Sequence, residues 1–95
     1  LVADKNKKNL QKLSAKYSVK SFVADLSSKA TITEITKNCD LVVGAVPGFM
    51  GFETVKTVIE NHKNIVDISF FPEDAFQLDD LAKRNNVVAV VDAGV

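Results

Sequence analysis

The sequence predicts an α/β protein built on a parallel sheet, and three observations predict it. Asp40-Leu41-Val42-Val43-Gly44-Ala45-Val46-Pro47 is a continuous valine-rich run, opened by an acid and closed by proline. Without polar alternation it reads as a strand buried on both faces. Segments with helical spacing lie on either side of it, as the cover of such a strand requires. Strand and helix patterns then alternate from one end of the chain to the other, which is the signature of βαβ units.

Each element has its own warrant. Leu1-Val2-Ala3-Asp4 reads as the end of a first strand. Lys5 to Tyr17 follows with Leu10, Leu13 and Tyr17 at helical spacing, lysines elsewhere and Asn6 as a cap. Val19 to Ala24 reads as a short strand, and Asp25-Leu26-Ser27-Ser28 as a loop whose last serine caps a helix carrying Ile32 and Ile35. The central strand, Leu41 to Val46, is followed by Gly48-Phe49-Met50-Gly51, read as a loop. A helix is expected from about Phe52 to His62, with Phe52, Val55, Val58 and Ile59 as its stripe. Asn64 to Ser69 is the next strand. Pro72 suits the first turn of a further helix, with Glu73 and Asp74 at its positive end. That helix turns Ala75, Leu78, Leu81 and Ala82 inward and stops at Asn85-Asn86. Val87 to Val91 is the final strand, closed by Asp92.

Composition narrows the function classes. A hydrophobic fraction of 46% with 25% charged residues is that of a folded soluble domain, which sets disorder aside. The formal net charge of zero argues against a nucleic-acid partner held by bulk charge. Lys5, Lys7, Lys8, Lys12, Lys16 and Lys20 crowd the first stretch, and a solvated helix face is the plainer explanation for them. The longest apolar stretch, Leu41 to Phe52, is too short and too glycine-rich for a bilayer, so no membrane partner is expected. Cys39 is the single cysteine, which points to a reducing, cytoplasmic setting. One cysteine and one histidine, His62, make no metal site. The chain opens on a strand and closes on Asp92-Ala93-Gly94-Val95, also within an element, so residues 1–95 are expected to be a fragment of a longer protein.

The residues that could carry chemistry gather at strand ends. In a dinucleotide fold an acid closing the second strand accepts hydrogen bonds from the adenosine ribose, a role open to Asp4. A helix cap is its alternative. Asp25 closes a second strand in the same way and could border adenine or cap the next helix. The phosphate loop G-x-G-x-x-G is missing, and Gly48-Phe49-Met50-Gly51 does not have its spacing. Phe70 and Phe71 end a strand together. Either they staple the next helix, or one ring forms a wall of a nicotinamide or substrate pocket.

Asp40 to Pro47, the run Ile65-Val66-Asp67-Ile68-Ser69-Phe70-Phe71-Pro72-Glu73-Asp74, and Val90-Val91-Asp92-Ala93-Gly94-Val95 together resemble the saccharopine dehydrogenase family, above all its lysine dehydrogenase branch. The likeness covers nearly the whole chain, including Val2-Ala3-Asp4 and Val23-Ala24-Asp25. It implies an incomplete Rossmann-type parallel sheet with helices on both faces, whose first strand and phosphate loop would precede Leu1. It implies an enzyme that uses NAD or NADP to oxidise a carbon–nitrogen bond of an amino acid. The resemblance puts Asp4 at the adenosine ribose and Asp25 near adenine. It puts Val46, Pro47 and Phe49 along the nicotinamide half, and has the segment from Asp92 lead toward the amino-acid substrate, the side on which Phe70 stands. The catalytic acid–base is not identified. Asp4 slightly favours NAD, because a carboxylate repels a 2′-phosphate, although Lys5 and Lys8 offset this. A regulatory nucleotide-binding module without catalysis is the alternative, and a ligand-free structural fragment a third. In the strand order 3-2-1-4-5-6 the missing strand lies between Leu1–Asp4 and Leu41–Val46. Those edges could pair directly, pair with a second copy to give a homodimer, or receive the omitted strand, the outcome favoured here.

Overall fold

The computed structural model describes residues 1–93. Strands β1 (Val2–Asp4), β2 (Ser21–Val23), β3 (Leu41–Gly44), β4 (Asn64–Asp67) and β5 (Ala89–Val90) alternate with helices α1 (Lys7–Lys16), α2 (Lys29–Thr36), α3 (Gly48–Glu60) and α4 (Asp79–Arg84). A short 3-10 turn, Ala75–Leu78, leads into α4. All pairings are parallel, as the alternation predicts. The strands form two sheets, β1-β2 and β3-β4-β5. Among the described residues β1 and β3 do not pair with each other, so the edges expected to flank a further strand stand apart.

Hydrophobic burial centres on α3. Val55, Val58 and Ile59 are wholly buried and pack with Ile32, Ile65, Phe71 and Leu78. Each such side chain contributes roughly 1.5–3 kcal/mol on leaving water. The register Val42–Ile65–Ala89 puts these three side chains on the face that meets α3. Val43, Val66 and Val90, one residue along, point the other way, and Val43 is 67% exposed. Leu10 of α1 is buried over the β1-β2 pair.

The helices α2 and α3 run side by side in the same sense. Lys29 lies 3.9 Å from Glu53 near their amino ends. Asn61 Nδ2 donates to Thr33 Oγ1, and Lys63 Nζ to the Lys37 carbonyl, toward their carboxyl ends. Each helix returns from the strand before it, so β2 and β3 point their carboxyl ends to the same end of the molecule.

Three expectations are corrected. The central strand is not buried on both faces, since Leu41 and Val43 on the side away from α3 are exposed. Gly48 to Gly51 is not a loop but the first turn of α3. Pro47 takes the cap position with φ −54° and ψ 146°, and the Met50 N–H donates to its carbonyl, so the turn closes despite two glycines. Pro72 does not open a helix. The Asp74 carboxylate accepts the Phe76 N–H and starts the 3-10 turn three residues later. The sequence-predicted caps hold where they were placed: Asn6 accepts from the Asn9 N–H and Ser28 from the Thr31 N–H. No helix among the described residues is long and apolar enough to cross a membrane.

Candidate functional site

The carboxyl ends of the parallel strands gather the candidate residues into two groups. The first lies on the β1-β2 pair. Asp4 closes β1, and its carbonyl accepts the Ala24 N–H at 3.0 Å, so β1 and the segment entering Asp25 end side by side. The Asp4 carboxylate accepts the Asn6 N–H at 3.2 Å, within the turn that leads into α1. Asp25 accepts both the Ser27 hydroxyl, at 2.6 Å, and the Ser27 N–H, at 3.0 Å. The hydroxyl bond first, then the backbone bond, hold the Asp25 carboxyl below its ordinary range, with a smaller contribution from nearby Lys5. Neither acid caps a helix, as the alternative reading had it: Asn6 caps α1 and Ser28 caps α2, and Asp4 and Asp25 bond within the turns that precede those helices.

Beside Asp25 lies an open pocket of about 440 Å³ between the end of β2 and the first turns of α2. Phe22, Ala24, Ala30 and Ile35 give it apolar walls, and Thr31 and Glu34 a polar rim.

The second group lies on β3-β4-β5. Beyond Gly44 the chain passes through Ala45 and Val46 to Pro47, which is exposed, while Val46 is half-buried. Phe49 stands on the first turn of α3 with 80% of its surface exposed. At the end of β4 the two adjacent phenylalanines part company. Phe71 is buried and meets Phe52 edge-to-face at 5.8 Å, while Phe70 is 61% exposed. Phe70 has φ 50°, and Asp92, exposed at the end of β5, has φ 56°. Non-glycine residues seldom take this left-handed conformation. The Ala93 N–H donates to the Asp67 carbonyl at 3.2 Å and ties the end of β5 to that of β4.

Sequence reasoning missed the most buried polar group of this edge. Asp67 has no exposed surface. Its Oδ2 accepts the Ser69 N–H at 3.1 Å and the Ser69 hydroxyl, while its Oδ1 has no hydrogen-bond partner. That oxygen lies against Gly44 on β3, where a β-carbon would overlap it. The signal was an acid inside an apolar run, two residues before a serine. His62 and Cys39 stay outside the site. His62 lies beyond the end of α3 with Nδ1 3.5 Å from the Asn85 carbonyl, and the Cys39 thiol points at the Ile35 carbonyl. No group of three or more metal-ligating side chains occurs among the described residues.

Residues 1–90 match the family model described as the saccharopine dehydrogenase NADP binding domain. A search of curated proteins finds no match.

Proposed function

We propose a function from one shown premise: this chain belongs to the saccharopine dehydrogenase NADP-binding domain family. Residues 1–95 are then the larger part of a nicotinamide-dinucleotide site in an oxidoreductase acting on the carbon–nitrogen bond of an amino acid. The observation that supports this best is the gathering of Asp4, Asp25, Pro47, Phe49, Phe70 and Asp92 at the carboxyl ends of parallel strands. Asp4 and Pro47 follow β1 and β3, the two strands that do not pair with each other, and open α/β sheets bind their ligands at such a crevice.

In this reading Asp4 accepts from the adenosine ribose, and the pocket beside Asp25 receives adenine. Val46, Pro47 and Phe49 line the nicotinamide half, with Asp92 on the substrate side and Phe70 where that side borders the nicotinamide ring. The bound nicotinamide supplies a two-electron acceptor for the substrate's carbon–nitrogen bond. The chain's own residues bind, orient and keep water from the ring, since the cofactor carries the chemistry. Residues 1–95 have no G-x-G-x-x-G loop, so the pyrophosphate takes its backbone N–H donors from elsewhere in the protein. The slight preference for NAD rests on the Asp4 carboxylate alone, and the family's NADP-binding description does not support it. Lys5 and Lys8, both exposed shortly after Asp4, would supply the cation for a 2′-phosphate. Its free thiol at Cys39 suits the reducing cytoplasm.

The test is a fluorescence titration of the full-length protein with NADPH and NADH. Asp4→Ala should weaken NADH binding about ten-fold or more, the cost of losing hydrogen bonds to a charged acceptor. Lys5→Ala should weaken NADPH and leave NADH unchanged. Binding of neither dinucleotide would overturn the reading.

A further inference from the structure

A carboxylate at position 67 is costly where packing alone would place an apolar side chain. Asp67 follows Ile65 on the inner face of β4 and is wholly buried, with one oxygen unpartnered. Leaving a buried polar atom without a partner destabilises a fold. The other oxygen shows what the residue does. It receives both the N–H and the hydroxyl of Ser69, closing a bracket around the end of the strand. Phe70 follows directly, in a backbone conformation that a phenylalanine avoids unless its surroundings impose it.

The surroundings do impose it from both sides. Before Phe70, Ser69 is held by Asp67. After it, Phe71 is anchored on Phe52. Gly51 leaves the room for this: a β-carbon there would overlap Ser69 Oγ and come within 2.8 Å of Phe71 Cδ1. A β-carbon at Gly48 would come 3.0 Å from the Phe70 carbonyl oxygen, so the start of α3 also lies against this turn.

We propose that Asp67 is a positioning residue for the nicotinamide end of the site: through Ser69 it holds Phe70 in the left-handed conformation that stands its ring at the crevice. This rests on the dinucleotide reading above. It also explains a buried carboxylate that weakens the sheet it sits in, as functional groups often do.

The test uses the full-length protein, with NADPH and NADH as probes, Kd from fluorescence and Tm from thermal melts. Phe70→Ala should weaken binding of the tighter dinucleotide about ten-fold, the scale of one lost aromatic contact to a ring. Ser69→Ala should weaken it several-fold, and Ser69→Ala combined with Phe70→Ala should equal Phe70→Ala alone within about two-fold. Asp67→Val should weaken binding without lowering Tm, whereas Asp67→Asn, which still accepts from Ser69, should restore binding. Losses that add in the double variant, or Asp67→Val lowering Tm with Kd unchanged, would overturn the positioning role while leaving the dinucleotide reading intact. A parent protein that binds neither probe would overturn that reading and the proposal with it.

Discussion

Asp25 and Asp67 are both carboxylates at strand ends that accept twice from a serine two residues on, yet they stand in opposite surroundings. Asp25 is exposed, so its Ser27 bonds act mainly on its protonation. Its folded pKa is lowered, so the stability it contributes is present above the ordinary carboxylate pKa of about 3.9 and is lost as pH falls through the lower folded value. Ser27→Ala should move the Asp25 pKa back up, read from the Cγ chemical shift in an NMR titration. An unchanged midpoint would show that the serine is not the cause. Gly51→Ala tests the crowded side of Phe70. Its new methyl meets Ser69 Oγ and Phe71, so denaturant unfolding should show a loss of about 1–3 kcal/mol. Asp4 and Asp25 stand out in the sequence because each closes a strand-like run. Asp67 did not stand out, because an acid within a short apolar run looks the same whether it faces core or solvent. Only the register Gly44–Asp67 shows which.

At the scale of elements, helix existence was legible and helix starts were legible only where a side chain caps them. Asn6 and Ser28 announced α1 and α2. Ser28→Ala should cost about 1 kcal/mol in denaturant unfolding, because the Thr31 N–H loses its acceptor. The start of α3 was hidden. Its cap, Pro47, offers no side-chain acceptor, and glycines at 48 and 51 read as loop. What keeps the first turn helical is its tight seat against Ser69, Phe70 and Phe71, a tertiary contact that no local pattern displays. The stripe of α3 was plain from its spacing. Ile59→Ala, wholly buried near the carboxyl end of the helix, should lose about 2–5 kcal/mol in the same measurement. The start of α4 was misplaced because Pro72 fits a first turn as well as Asp74 does, and the 3-10 turn follows the residue whose carboxylate reaches an N–H.

At the scale of the molecule, the parallel class came through because short apolar strands and amphipathic helices alternate without interruption. The division into β1-β2 and β3-β4-β5 follows the same logic, since the order 3-2-1-4-5-6 separates the second strand from the fourth. Among the described residues β1 and β3 each pair with a strand on one edge only, and the outward side chains Leu41, Val43 and Val90 are apolar and exposed. We read both features as places for a strand and cover that these residues do not supply. The adenosine and nicotinamide halves of the site would then lie within residues 1–95 and the pyrophosphate cradle outside them. Calorimetric titration of NADPH into residues 1–95 alone, beside the full-length protein, tests this most directly. Micromolar binding by the full-length protein with no measurable binding by the isolated residues is the expected result. A micromolar Kd for residues 1–95 alone would contradict it, and would locate the phosphate site within this chain.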